Sequence, residues 1–337
     1  MIKLKDKLEK TVELRSVYAN TVAELIHIDD QVVALEADLS SASTTIKVME
    51  KYPNRVINCG IQEANMIGVA AGLSLIGMKP FVHSFAPFVS RRPFDQVFLS
   101  LGYAQLSATI IGSDGGVAAE HNGGTHMPFE DLALYRTIPH ATVMEMSDAV
   151  MFEDILRQVK DRNGLHYVRI TRKSMQAIYE KGSKFEIGKG IVLRDGSDVT
   201  IVATGLLLEE ALKAHEILKR QGIDAAVLDL FTIKPIDEQL LITYAKKTSL
   251  IITAENHNIV GGLYSAVSEC LAQVAPVMIL PVGVKEQFGQ VGLIPYLKDF
   301  YGLTAKHIVD IVLNHMKSKG RDCKEMSPFQ NDRVSTK

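Results

Sequence analysis

The sequence predicts an α/β protein built from two consecutive parallel-sheet domains. Short apolar runs of strand length alternate with segments of helical period, which is the pattern of βαβ units. The alternation stops in the glycine- and lysine-rich stretch 173–189 and then restarts. A length of 337 residues suits two domains of ordinary size. We therefore expect a first domain over 8–175, a smaller second domain over 188–317 and a polar tail over 318–337.

The elements of the first domain follow from the spacing of its apolar residues. Apolar residues that recur every three or four positions predict helices, and compact apolar runs such as QVVALEA predict buried strands. In chain order we expect a helix over 8–26, a strand over 31–37, a helix over 44–51, a strand over 55–58, a helix over 63–76, a strand over 79–85, a helix over 90–103, a strand over 108–112, a polar loop over 113–128, a helix over 129–137, a strand over 141–146, a helix over 148–162 and a strand over 166–171.

The second domain repeats the alternation with a different sequence. Apolar runs such as VTIVAT predict strands, and amphipathic segments between them predict helices. We expect strands over 199–204, 224–230, 250–254 and 277–282, and helices over 207–221, 237–247, 263–272 and 307–317.

Composition excludes several classes of function. The chain is 47% hydrophobic and 23% charged with a formal net charge of −2, so neither nucleic-acid binding nor disorder is indicated. The N-terminus has no apolar core of signal-peptide length, and no stretch reaches the roughly 20 apolar residues that a membrane span needs. The three cysteines are far apart and show neither disulfide nor metal spacing. We expect a cytoplasmic protein.

Ligands of parallel sheets bind at the carboxyl ends of strands. The predicted strand ends carry Asp38, Gly60, Phe85 and Ser113, which should line one crevice. The loop after Ser113 holds an acid, two histidines and an amide at Glu120, His121, Asn122 and His126. Long loops in compact domains are often functional, although a glycine-rich surface loop has the same composition. Metal binding is a weaker alternative, because the two histidines are five apart with no further histidine or cysteine nearby.

Two further stretches each have two interpretations. Glu63 begins a helix among apolar neighbours, where an acid either favours the positive helix end or performs chemistry. Phe85 and Phe88 follow a strand end, where aromatic rings either belong to the core or stack on a ligand ring. The chain has no Gly-x-Gly-x-x-Gly, Walker or Gly-x-Ser-x-Gly pattern, which argues against a nicotinamide enzyme or a serine hydrolase.

Three segments together resemble the pyrimidine-binding half of transketolase. They are Gly60-Ile61-Gln62-Glu63-Ala64-Asn65-Met66, the loop with Phe85 and Phe88, and Asn122-Gly123-Gly124-Thr125-His126-Met127-Pro128. The region after residue 189 resembles the transketolase C-terminal domain, with Glu255-Asn256-His257 followed by Gly261-Gly262. The family's Gly-Asp-Gly…Asn motif, which holds Mg²⁺ and the diphosphate of thiamine diphosphate, is absent from this chain. The resemblance therefore implies the C-terminal subunit of a split transketolase. It would pair with an N-terminal subunit, in a dimer of heterodimers, to transfer a two-carbon ketol unit from a ketose to an aldose.

The resemblance also implies roles for individual residues. Glu63 would hydrogen-bond ring nitrogen N1′ of the aminopyrimidine, and an apolar pocket would let its carboxyl share a proton near neutral pH. Phe85 and Phe88 would pack on the pyrimidine, with Asp38 and Ile61 near the ring. His126 would contact the ring amino group and the donor's C1 hydroxyl. Arg15 and Arg172 would grip the terminal phosphate of the substrate.

Three positions depart from the family's pattern. Arg91 stands where a tyrosine wall of the pocket is expected, and Asn122 stands where an aspartate reads the acceptor's C2 hydroxyl. Asp114 stands where the family has a histidine near the substrate phosphate, and a carboxylate there would oppose a phosphate. Either the loop runs differently, or the substrate is an unusual sugar.

Other functions fit the same two-domain plan. The β chain of a 2-oxo-acid dehydrogenase shares it, although the motif around His126 favours transketolase. Deoxyxylulose-phosphate synthase shares it too, but is normally one full chain. A catalytically silent regulatory subunit is a further alternative, against which the presence of Glu63 argues. A small-molecule binding protein without thiamine is the last.

Overall fold

The computed structural model describes residues 2–318. The strands of this part are, in chain order, β1 (Leu4–Glu13), β2 (Val32–Glu36), β3 (Val56–Asn58), β4 (Lys79–Phe85), β5 (Ala108–Ser113), β6 (Thr142–Glu145), β7 (Leu165–Ile170), β8 (Ser174–Tyr179), β9 (Ile191–Arg194), β10 (Val199–Ala203), β11 (Ala225–Asp229), β12 (Thr232–Lys234), β13 (Leu250–Asn258) and β14 (Met278–Val284). The predicted tail falls almost wholly on 319–337, which lie outside the described residues.

The helices connect these strands. They are α1 (Leu14–Ile28), α2 (Ile46–Lys51), α3 (Glu63–Leu75), α4 (Ala86–Ser90), α5 (Phe94–Gln96), α6 (Asp131–Arg136), α7 (Ala149–Val159), α8 (Leu207–Arg220), α9 (Glu238–Lys247), α10 (Leu263–Val274), α11 (Ile294–Phe300) and α12 (Ala305–Ser318). A π-helix over Val97–Tyr103 and a 3-10 helix over Gly116–Asn122 complete them. No helix within 2–318 is long and apolar enough to cross a bilayer.

Two sheets form the body of the molecule. The first has seven strands in the order β12-β6-β7-β5-β4-β2-β3, and all but β12 are parallel. The second has five strands in the order β14-β13-β10-β11-β9, with β9 antiparallel. Every residue of the central strands β2, β5 and β10 is buried, as expected for parallel strands covered by helices on both faces. The predicted α/β fold class is confirmed.

The first predicted helix is partly wrong. Residues 4–13 form a strand that pairs antiparallel with β8, and the helix begins only at Leu14. Leu4, Leu8 and Val12 recur every four positions, a spacing that fits a helix face and one face of a strand equally well. The partner strand lies in the stretch that we expected to be an irregular break. Local spacing could not decide between the two because the deciding contact is distant in sequence.

Other elements are shorter or absent from the prediction. Only α5 and the π-helix lie within the helix expected over 90–103, and both follow Pro93, while the unpredicted α4 ends where that helix was expected to begin. The loop expected over 113–128 contains the 3-10 helix. The short elements β9, β12 and α11 were not predicted, because three to seven residues carry too little periodicity.

The two halves share a sheet and a buried charge cluster. Strand β12 belongs to the second half of the chain, yet it pairs antiparallel with β6 of the first sheet. The fully buried Arg169 donates to Asp131 (Nε–Oδ2, 2.8 Å) and Glu145 (Nη1–Oε1, 2.6 Å), and also to the carbonyl of Asn256 on β13 (3.0 Å). These contacts fix the second half against the carboxyl edge of the first sheet.

Candidate active site

Four adjacent strands, in the order β5-β4-β2-β3, end at the edge where the candidate residues gather. Asn58 joins two of these ends, since its side-chain oxygen accepts from the backbone N–H groups of Asp38 (2.9 Å) and Gly60 (3.0 Å). Asp38 and Gly60 both have positive φ, 62° and 73°, so the chain turns sharply after β2 and after β3. The second turn leads directly into α3, whose first residue is Glu63.

Glu63 has polar partners rather than apolar surroundings. Its side chain is 1% exposed. Oε1 accepts from Ser84 Oγ at 3.2 Å, and Oε2 is 2.6 Å from Nη1 of Arg92. The expected apolar pocket is therefore wrong in this detail. Arg92 was missed because it lies far along the chain, although two adjacent arginines in the aromatic loop were a visible signal.

Two phenylalanines and a histidine form a cluster beside Glu63. The ring of His126 meets Phe88 edge-on at 4.9 Å and Phe85 at 6.0 Å between centroids. The guanidinium of Arg92 lies 4.3 Å from the centroid of Phe88, and that of Arg172 lies 4.7 Å from the centroid of Phe85. The structure thus brings together Glu63 and the predicted cluster, and adds a cation over each aromatic ring.

The surroundings of His126 favour its neutral form. Burial lowers the pKa of its imidazole, and the nearby Arg91 and Arg92 lower it further. Its Nδ1 lies 2.9 Å from the hydroxyl of Thr125. A neutral imidazole can both donate and accept a hydrogen bond, which suits contact with a hydroxyl or an amino group.

Asp114 binds Arg172. Its carboxylate accepts from Nε of Arg172 at 2.5 Å and from the Arg172 backbone N–H at 3.1 Å. Asp114 is buried and has a positive φ of 60°. Burial raises the pKa of its carboxyl, and the Arg172 guanidinium opposes that rise. The side chain that we expected to face a substrate phosphate faces an arginine instead.

Arg15 lies next to Arg172 through the backbone. The N–H of Arg15 donates to the carbonyl of Arg172 at 3.1 Å, so the backbones of the two arginines predicted to bind the substrate's terminal phosphate are adjacent. The side chain of Arg15 is half-exposed and its Nε donates to Glu13 at 2.7 Å. The other predicted site residues are exposed at the rim: Asp38, Ile61 and Asn122.

A buried chain of hydrogen bonds lies beneath the site. Glu36 on β2 is 3.0 Å from Nδ1 of His83 on β4, and Nε2 of His83 is 3.1 Å from Oγ of Ser113 on β5. All three side chains are inaccessible, so the chain ties three strand ends together rather than serving as a nucleophile. It was not predicted, since His83 looked like one residue of an ordinary buried strand.

The second half of the chain positions the loop that carries His126. Asn256 on β13 accepts from the N–H of Val117 (3.0 Å) and donates to the carbonyl of Gly115 (2.9 Å). Gly124 packs so closely on Gly289 that a Cβ atom would lie 2.4 Å from the Gly289 carbonyl oxygen. The Asn256 motif, noted in the sequence without a role, is thus a fastening for the site loop.

Comparison with known proteins decides the family. Residues 10–177 match the pyrimidine-binding domain of transketolase, and residues 188–308 match the transketolase C-terminal domain. The chain belongs to the transketolase family.

Relatives of the chain include subunits of split transketolases. It is 47% identical, over 88% of its length and 92% of the relative's, to a 6-deoxy-6-sulfo-D-fructose transketolase subunit of a Clostridium species. It is 36% identical, over 91% of its length and 97% of the relative's, to a "putative transketolase C-terminal section" of Methanocaldococcus jannaschii. An apulose-4-phosphate transketolase subunit of Phocaeicola vulgatus is 33% identical, over 91% of this chain and 98% of that relative.

A solved structure gives the same picture. The protein described as "split gene transketolase, inactive beta4 tetramer" is 37% identical, with a TM-score of 0.83 over 91% of this chain and 98% of that one. This chain is therefore a transketolase-family subunit of the split type.

The residues present suit the pyrimidine end of thiamine diphosphate. Transketolases use this cofactor together with a divalent metal ion. Glu63 offers a carboxylate whose partner, Arg92, is 44% exposed, so the carboxylate can be reached from solvent if that side chain moves. Phe85, Phe88 and His126 offer aromatic and imidazole contacts within one cluster. In the described residues no group of acids, histidines and cysteines is placed to hold a metal ion.

Proposed function

We propose that this chain is the subunit of a thiamine-diphosphate-dependent transketolase that activates the cofactor's pyrimidine, and that it moves a two-carbon ketol unit from a ketose to an aldose. The observation that carries this proposal is the buried carboxylate of Glu63 beside the ring cluster of Phe85, Phe88 and His126. The relatives named as transketolase subunits support it.

Each side chain has a task in this reaction. When bound, thiamine diphosphate supplies the electron sink for breaking the C2–C3 bond of the ketose. Glu63 accepts a hydrogen bond from the pyrimidine ring nitrogen, and Ser84 holds the other carboxylate oxygen. The neutral imidazole of His126 binds the donor's hydroxyl. Arg15 and Arg172 hold the far end of the sugar.

The diphosphate end requires a second subunit. We place Mg²⁺ and the diphosphate on an N-terminal transketolase subunit, as the resemblance implies. Exposed apolar side chains flank the site and suit such a partner: Ile61 is 68% exposed, Phe288 98% and Val291 64%. Val291 packs on Gly123, and Gly289 on Gly124, so this surface is continuous with the loop of His126.

A second copy of the chain is the other expected partner. Helix α3 is mainly apolar, and its outer face exposes Gly68, Gly72 and Leu75 together with the polar Asn65. The solved β tetramer, described as inactive, supports both self-association and the need for another subunit. A dimer of heterodimers satisfies both.

Substitution of Glu63 tests the function. We expect Glu63→Gln in the assembled pair of subunits to lower ketol transfer by at least about a hundredfold, because the amide cannot share a proton with the ring nitrogen. The matched control is Glu24→Gln, an exposed acid on α1 that pairs with Arg157. Circular dichroism and gel filtration verify folding and assembly. Transfer near the wild-type rate would contradict the mechanism and favour a silent regulatory subunit.

A further inference from the structure

Every arginine around the site is paired with a carboxylate of the same chain. This holds at the predicted sugar tail and at the pyrimidine cluster alike. The pairs are Arg15 with Glu13 (2.7 Å), Arg91 with Glu130 (3.0 Å), Arg92 with Glu63 (2.6 Å) and Arg172 with Asp114 (2.5 Å). In the described part of the site, therefore, the positive charge of each arginine that an anion could meet is already balanced by a carboxylate.

The pair at Arg172 is the most firmly fixed of the four. Both oxygens of Asp114 accept hydrogen bonds from Arg172, one from Nε and one from the backbone N–H, which is the pattern of an ionised carboxylate. Asp114 is buried, whereas the Arg172 side chain is partly exposed and lies over Phe85. Asp114 therefore orients Arg172 and offsets part of its positive charge.

The charge of the anionic group at the far end of the sugar then determines how well that group fits the site. A phosphate ester carries about −1.5 to −2 charges at pH 7, whereas a sulfonate carries a single negative charge and has no proton to lose. Both are tetrahedral groups with three terminal oxygens, so both can accept from two guanidinium groups. The second charge of the phosphate ester gains little from arginines already neutralised by Glu13 and Asp114, yet its desolvation costs more.

We propose that the tail of the natural sugar is a monoanionic sulfonate, and that Asp114 is the positioning residue that sets this preference through Arg172. The inference rests on the proposed ketol transfer. The C2–C3 bond of a sulfonated ketose breaks, the C3 hydroxyl loses its proton, and a shorter sulfonated aldose leaves. The two-carbon unit forms a bond to the acceptor's carbonyl carbon, and the acceptor's oxygen takes up a proton.

The test compares two donors with the same carbon skeleton. The chain is assembled with its N-terminal partner, thiamine diphosphate and Mg²⁺, and kcat/KM is measured for 6-deoxy-6-sulfofructose and fructose 6-phosphate with neutral glycolaldehyde as acceptor. We expect the sulfonate to be preferred by at least about tenfold, since one unscreened charge inside a site of intermediate dielectric has an effect of this size. Equal use of both donors, or a preference for the phosphate ester, would overturn the inference.

Variants then assign the preference to its residues. Asp114→Asn should reduce the ratio of kcat/KM for the sulfonate to kcat/KM for the phosphate ester by about tenfold, mainly through a lower KM for the phosphate ester. Asp114→Glu should restore this ratio. Glu13→Gln, at a half-exposed position, should shift the ratio in the same direction and does not risk the fold. Asp310→Asn, on an exposed pair of α12, is the control. If Asp114 had a merely structural role, its substitution would lower kcat/KM equally for both donors. An unchanged ratio of the two kcat/KM values in both the Asp114 and the Glu13 variants would refute the assignment.

A donor that lacks the distal anionic group tests ketol transfer separately from the preference for a sulfonate. Hydroxypyruvate supplies the same two-carbon unit and releases carbon dioxide, so it does not use the tail site. If the enzyme used hydroxypyruvate but neither of the two hexose donors, only the sulfonate preference would be overturned. Turnover of none of the three donors would overturn ketol transfer itself, and the sulfonate with it.

Discussion

At the scale of the residue, Arg92 makes the contacts that a bound pyrimidine would need. Its planar guanidinium donates to Glu63 and lies over Phe88, so a hydrogen bond to the carboxylate and one ring face are already in use. Because the Arg92 side chain is 44% exposed, solvent screens its ion pair with the buried Glu63, which is worth on the order of 1 kcal/mol and can be displaced. We therefore expect Arg92 to compete with the cofactor for Glu63.

Removing that competitor should tighten cofactor binding. We expect Arg92→Ala to lower the dissociation constant for thiamine diphosphate by about three- to fivefold, which is the equivalent of a partly exposed ion pair. Titration calorimetry of the assembled subunits measures it. Arg157→Ala, which breaks a similar exposed pair on α7, is the control. Weaker binding in Arg92→Ala would mean that Arg92 orients Glu63 for the cofactor.

His126 should determine the acidic side of the activity profile. Its folded pKa is lowered, so the imidazole stays neutral until the pH falls below its ordinary value of about 6.5. We expect the acidic limb of kcat/KM against pH to lie below that value. Arg91→Gln removes one cause of the shift and should move the limb upward. The prediction would be contradicted if Arg91→Gln did not move the acidic limb of the pH profile and if the limb were still present in His126→Asn.

At the scale of the element, strand β7 depends on one buried charge. Arg169 is fully buried and neutralises Asp131 and Glu145, and its removal leaves two buried acids without a cation. We expect Arg169→Met to lower the free energy of unfolding by about 3–5 kcal/mol. Denaturant unfolding measures it against Arg157→Met, a surface change that should cost within about 0.5 kcal/mol. A difference under about 1 kcal/mol between the two variants would contradict this role.

The elements also mark how far sequence reasoning reaches. Strands such as β2 and β5 were predicted because parallel strands buried on both faces are continuous apolar runs. The order of Glu63, Phe85 and His126 was enough to predict a site, since consecutive strand ends meet at one edge. The failed predictions depend on partners that are distant in sequence: β1 pairs with β8, and Glu63 pairs with Arg92. Asp114 was noticed, but its partner Arg172 could be found only in three dimensions.

At the scale of the whole molecule, the second half supports the site without contributing a candidate catalytic residue. Asn256 holds the beginning of the loop that ends at His126, and Gly289 packs against Gly124 near the end of that loop. The second half also presents Phe288 and Val291 beside the same loop. Partner binding at this surface would therefore act directly on the position of His126.

Strand β12 has a consequence for the integrity of the chain. It follows the connection between the halves but completes the edge of the first sheet, next to β6. A protease that nicks the exposed turn around Lys181 should leave two fragments that still co-elute, and the nicked protein should melt in one calorimetric transition. Neither half is then a free-standing module: expressed alone, the first would expose the bare edge of β6 and invite aggregation.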